Sequence, residues 1–176
     1  MKNLLFFLSM TLCFFCSGQG RLNPVIKSFG GIYDVPEATV LPDPDLDYNI
    51  VVDVKSGTID PQELAPGIYN VARMINLLAV GGADVDRLNV VLAIHASATY
   101  AILNNDEFKE RFDTDNPNIP LIEELKKTGV KVIVCGQSLK GRGVEATQVL
   151  PQVEIATSML TTVATYQLKG YAFFQF

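Results

Sequence analysis

Histidine and cysteine are both scarce in this 176-residue sequence, which has one histidine, three cysteines and no tryptophan. Two of the cysteines, Cys13 and Cys16, fall in the first sixteen residues. If that segment is removed, Cys135 stands alone, which excludes an internal disulfide framework and a CxxC redox pair. One histidine, one such cysteine and no spaced His/Asp cluster give too few ligands for a metal site. Asp43, Asp45 and Asp47 lack the glycine and distal glutamate of a calcium loop. There is no Walker lysine motif, no GxGxxG and no GxSxG, so no cofactor is expected. Basic residues are outnumbered, 14 against 19 acidic, for a formal charge of −5. An acidic chain without a basic run repels phosphate backbones and excludes nucleic acid as a partner.

What is present is a folded composition. Hydrophobic residues make up 48% and charged residues 19%, enough for one domain with a core and against disorder. The start differs from the rest. Lys2 precedes an apolar stretch from Leu4 to Phe15, and Ser17, Gly18, Gln19 and Gly20 follow. That order is a secretory signal peptide over residues 1–18, cleaved after Gly18, and it is too short to span a bilayer. Cys16 follows Cys13-Phe14-Phe15 rather than the leucine and small residues of a lipoprotein site. No later segment is long enough to cross a membrane. The expectation is a periplasmic or secreted protein. Cleavage takes Lys2 with it and leaves 13 basic and 19 acidic side chains, a net charge of −6.

Residues 19–47 form an extended lead-in, because Pro24, Pro36, Pro42 and Pro44 prevent a helix. Its apolar pieces Val25-Ile26 and Gly31-Ile32-Tyr33 suit packing on the domain or on a neighbouring subunit. The domain proper spans 48–176. Tyr48–Val54, Leu88–Ile94 and Lys131–Val134 read as strands, with a weaker one at Val153–Ala156 and a last at Tyr171–Phe176. Ile68, Val71, Ala72, Ile75, Leu78 and Ala79 recur at helical spacing until Gly81-Gly82. Ala96–Phe112 reads as helical with a break near Asn104-Asn105. Pro120–Thr128 is a short helix with Glu123 and Glu124 early and Lys126 and Lys127 late, as the helix dipole favours. Ser138–Gly141 is a short helix or turn. Thr157–Lys169 is a final helix with Leu160, Val163 and Ala164 inward. Strands alternating with helices predict an α/β fold: a single three-layer domain around a mostly parallel sheet of about five strands.

Ligands of such sheets bind beyond the carboxyl ends of the strands, and two reactive residues fall there. Cys135 closes the third strand, ahead of Gly136-Gln137-Ser138 and a helix start. Amides at a helix start and the cations Lys140 and Arg142 favour a thiolate, which can attack a sulfur donor and hold a persulfide. The same position suits a buried cysteine that merely packs. Six residues separate Cys135 from Arg142, not the five of phosphatase and rhodanese loops, so an anion loop of that kind is not supported. His95, after the second strand, is either a proton acceptor or a hydrogen-bonded strand-end residue.

These residues are similar to a known family. Leu92-Ala93-Ile94-His95-Ala96, Leu103-Asn104-Asn105-Asp106, the run Asp115 to Leu125 and Val132 to Ser138 resemble the exported branch of the DsrE/DsrF-like family. So do Phe29 to Pro36, Asn70 to Leu78 and Gly141-Arg142-Gly143-Val144. The resemblance implies a compact parallel α/β fold of the DsrEFH type and a homo-oligomer, a trimer or hexamer. Sulfur-relay members such as TusD and DsrE carry a persulfide on a cysteine after a strand, with Arg-Gly downstream; Cys135, Arg142 and Gly143 match. It therefore implies a sulfurtransferase-like persulfide carrier of the cell envelope. In it Cys135 and His95 are catalytic, Gly136, Gln137, Ser138 and Arg142 bind, and a sulfur-carrier protein is the partner. The relay members are cytoplasmic, and export separates this chain from their partners. The alternative is a non-catalytic oligomeric binding or assembly module of the periplasm.

Overall fold

The computed structural model describes residues 20–176. The expected signal segment 1–18, with Cys13, Cys16 and the cleavage point, lies outside the described residues. Five strands form one sheet: β1 (Tyr48–Val54), β2 (Leu88–Ile94), β3 (Lys131–Cys135), β4 (Glu154–Ala156) and β5 (Ala172–Gln175). Their order is β4-β3-β2-β1-β5 and every pairing is parallel. The helices are α1 (Pro66–Val80), α2 (Asn105–Phe112), α3 (Ile119–Lys127), α4 (Gly136–Gly141) and α5 (Met159–Leu168), with a 3-10 segment over Ala96–Ile102.

The order of the strands decides where the helices lie. Parallel crossovers are right-handed, so three steps outward from β1 to β4 place their connections on one face. The step from β4 back to β5 runs the other way and places α5 on the opposite face. The two faces are unequally covered. Ile50, Val52, Val54, Leu92, Ile94, Val132 and Val134 join the main core beneath α1 and α3. Val51, Val91 and Ile133 form a small second core with Val163, Tyr166 and Tyr171. α5 lies on β1 and β2, and its outward side mixes Thr161, Thr165 and Gln167 with two leucines, Leu160 at 71% exposed and Leu168 at 90%. The expectation that Leu160 and Ala164 point inward is corrected. Both are exposed and Thr162 is the buried residue, because one ten-residue helix on a broad sheet contacts it along a narrow line.

Helix ends follow local chemistry. Pro66 opens α1, where its missing N–H costs nothing. The preceding Ala65 N–H is held by the buried Asn118 Oδ1 at 2.7 Å. Asn104 caps α2 by accepting from Glu107 N at 2.9 Å. α3 begins at Ile119, so Glu123 and Glu124 fall in its second turn and only Lys126 and Lys127 complement the dipole.

The lead-in is part of the fold. Leu22 and Ile32 bridge one another, and Ile26 is fully buried among residues of the main core. Asn76, fully buried on α1, holds the loop through five hydrogen bonds. Its Oδ1 accepts from Val25 N and Ile26 N at 3.1 and 3.0 Å, and its Nδ2 donates to the carbonyls of Ile26, Phe29 and Gly30. Further along, Arg87 Nε donates to Asp47 Oδ1 at 2.8 Å. That guanidinium holds the Asp47 carboxyl below its usual range. A lowered carboxyl pKa adds stability above the unfolded value, and the contribution fades as pH falls through the folded one. The pair is exposed, so Asp47→Asn is expected to lower the unfolding midpoint only slightly, by an amount that shrinks in high salt.

Candidate functional site at the carboxyl edge of the sheet

The chain leaves β3 toward α4 on the α1 face and leaves β4 toward α5 on the other face. The carboxyl ends of β3 and β4 are therefore the point where connections diverge, the place where open α/β sheets form a crevice. Cys135 sits there, paired in register with Ala156. The residue is 7% exposed, and it is the free cysteine of the described residues. Gly136 is required by the close approach. A Cβ at this position would lie 2.7 Å from the Ala156 carbonyl oxygen. Gly136→Ala is expected to cost about 1–3 kcal/mol, read as a lower denaturation midpoint, because β4 or the first turn of α4 must shift.

His95 follows β2. The register pairing Ala93 with Ile133 and Ile94 with Val134 puts His95 and Cys135 on the next rung, on the α5 face of the sheet. The His95 ring leans toward β1. Its Nε2 lies 2.6 Å from Oδ1 of Asp53, whose side chain is 6% exposed. The pair meets the distance of an ion pair without the alignment of a hydrogen bond, and neither atom has another partner among the described residues. The other carboxylate oxygen, Oδ2, accepts from Gln175 Nε2 on β5 at 2.7 Å. A carboxylate in an apolar sheet survives only with such partners. Asp53 and Gln175 were not singled out by sequence reasoning. The available signal was a lone aspartate inside the β-branched run Ile50 to Val54.

The residue after His95 is strained. Ala96 has φ 50, a left-handed value that alanine adopts at a cost. Hydrogen bonds on both sides impose it: His95 N donates to Val54 O at 3.0 Å and Ala98 N to Lys55 O at 3.2 Å.

The other expected residues lie elsewhere. Gln137 is exposed. Ser138 is buried on α4, 2.9 Å from Thr99 Oγ1. Arg142 Nη1 donates to Ser138 Oγ at 3.0 Å, and its guanidinium lies over the Tyr100 ring at 5.8 Å. Lys140 faces Glu145, at 3.6 Å. Both cations near Cys135 in sequence thus have other neighbours. A pocket of about 220 Å³ opens by Tyr100, Ala65, Phe108 and Phe112; neither Cys135 nor His95 lines it, and these residues belong to the α1 face. Among the described residues no group of three acidic, histidine or cysteine side chains could hold a metal ion. Nor is any described helix long and apolar enough to cross a membrane.

Comparison with known proteins agrees with this architecture. A protein of unknown function, MTH1491 from Methanobacterium thermoautotrophicum, superposes with a TM-score of 0.54 at 16% identity, over 73% of this chain and 99% of its own. The ychN protein from E. coli gives a TM-score of 0.53 at 21% identity, over 73% and 98%. At these identities the likeness is one of fold. No curated protein sequence matches. The family model described as DsrE/DsrF-like matches residues 50–176, all of the sheet except the first two residues of β1. On that match, the chain belongs to the DsrE/DsrF-like family.

Proposed function

We propose that this protein is a persulfide carrier of the cell envelope that uses Cys135 as its sulfur acceptor. The observation that carries the reading is the place of Cys135, at the carboxyl edge where the connections from β3 and β4 diverge. In the reaction the Cys135 thiolate attacks the outer sulfur of a donor persulfide. The donor S–S bond breaks, a new S–S bond forms on Cys135, and the donor leaves as a thiolate that takes up the proton. Donor and acceptor exchange one sulfur atom, so no external oxidant or reductant is needed. The test is intact-mass measurement after incubating the purified protein with glutathione persulfide. The expected result is a gain of one sulfur atom that dithiothreitol removes and that Cys135→Ser abolishes. No adduct, or one that survives the substitution, overturns the reading. Export is tested separately: the N-terminus of the protein recovered from the cell envelope should begin at Gln19.

A second reading is an oligomeric assembly module. It draws on the apolar side chains Leu160 and Leu168 of α5 and Phe173 of β5 on the same face of the sheet, each at least 44% exposed. A trimer or hexamer in light scattering, dissociated by Leu160→Glu with Leu168→Glu, is its expected result. A monomer at micromolar concentration removes it.

A further inference from the structure

His95 is the one histidine in the sequence, and its Nε2 faces a buried carboxylate. We propose that Asp53, braced by Gln175, is a positioning residue that fixes His95 in the tautomer able to take the Cys135 proton. The inference rests on the reading of Cys135 as the reacting group.

A bare nitrogen lone pair 2.6 Å from a carboxylate oxygen would be repelled, so the proton belongs on Nε2. In the neutral ring Nδ1 is then the free acceptor. The bracing runs across three strands. Gln175 on β5 donates to Asp53 on β1, and Asp53 faces His95 after β2. Gln175 is itself steadied by Lys55 Nζ, 3.3 Å from its Oε1. The strained Ala96 fixes where the backbone turns away, and the bonds to Val54 and Lys55 prevent it from relaxing. Such a brace holds a ring orientation that solvent alone would not select. Cys135 stands on the adjacent strand at the next rung of the same face, and a proton passed from its thiol to Nδ1 would leave the positive ring facing the Asp53 carboxylate through Nε2.

The charged and titratable groups around His95 are few. Asp53 comes from β1, Lys55 directly follows that strand, and Cys135 ends β3. Tyr166 and Tyr171 pack over Val51, Val91 and Ile133 on the same face. Among these, Asp53 is the group that contacts the ring.

Because there is one histidine, its ring nitrogens give an unambiguous NMR signal. In the wild-type protein with the ring neutral, long-range 15N–1H spectra should show the proton on Nε2. A neutral ring protonated on Nδ1 overturns the proposal, and this measurement needs no variant. Asp53→Asn should release the tautomer, so that a ring protonated on Nδ1 becomes visible in the same spectra. A folded Asp53→Asn protein whose neutral ring keeps its proton wholly on Nε2 also overturns it. The link to Cys135 is read from the rate of its alkylation by iodoacetamide, followed on the Cys135 peptide. His95→Asn and Asp53→Asn should both slow alkylation by about tenfold. A His95→Asn rate equal to that of the wild type breaks the link. These readouts do not depend on sulfur transfer. A protein that passes them but takes up no sulfur would sink the carrier reading and leave the relay intact.

Discussion

Asn76→Ala should lower the thermal midpoint by roughly 10 °C, from a loss of about 3 kcal/mol or more converted by the entropy of a domain this size. The substitution removes an amide that satisfies two backbone N–H groups and three carbonyls of the 25–30 loop. Asn76 is fully buried, and so is Ile26 beside it, so water reaches these groups only if the loop lifts away. The cavity adds to the loss. Asn76→Asp should be worse, although its shape is conserved. It would aim a second oxygen at the carbonyls of Ile26, Phe29 and Gly30 in a buried site. Calorimetry on both variants checks the order. A pair of midpoints within a degree or two of the wild type would mean that the loop contributes little to the fold.

Gly30→Ala is expected to cost about 3 kcal/mol, from two sources that add. Gly30 has φ +67, where an L side chain is strained by roughly 1–2 kcal/mol. A Cβ there would also lie 2.5 Å from the Ala72 carbonyl carbon and the Arg73 nitrogen. Both are helix backbone in α1 and cannot swing aside, so the loop must move, at a further cost of about 1–3 kcal/mol. Chemical denaturation should show a lower midpoint at constant slope. Limited proteolysis should cut first within residues 20–35. A variant as stable and as resistant as the wild type would contradict the tight seating of Gly30 on α1.

Both variants concern the segment whose role the sequence showed least clearly. Four prolines announced that residues 19–47 would not be helical, and the described part, 20–47, contains no helix. They said nothing of docking, because the partner Asn76 lies about fifty residues downstream on an otherwise apolar helix face. The strands and α1 were legible because buried parallel strands are β-branched runs and helices repeat every 3.6 residues. The last helix misled for a physical reason. Its apolar residues are spread around the axis, and the sheet it covers needs only a narrow contact. At the candidate site, position after a strand was enough to place Cys135 and His95 at the carboxyl edge of the sheet. Asp53 and Gln175 stayed hidden because a single polar residue in a strand has no period, and its role depends on which strands become neighbours. The sequence order of strands does not reveal that β5 lies against β1. Arg142 shows the converse, since closeness in sequence to Cys135 does not stop a long side chain from settling on Tyr100.

The pairing of β5 with β1 sets an order in time. Asp53 leaves the ribosome more than a hundred residues before Gln175, whose amide is to hold it. Until then β1 has an open edge, and its carboxylate can meet only water or His95. The strand that closes this edge is made after the other four, so the loop it closes is among the longest in the fold. A nascent or truncated chain lacking β5 would already contain Cys135 and His95, yet would lack the brace between them and the rest of the sheet. The edge that holds Cys135 and His95 would thus be assembled only after β5 has been made.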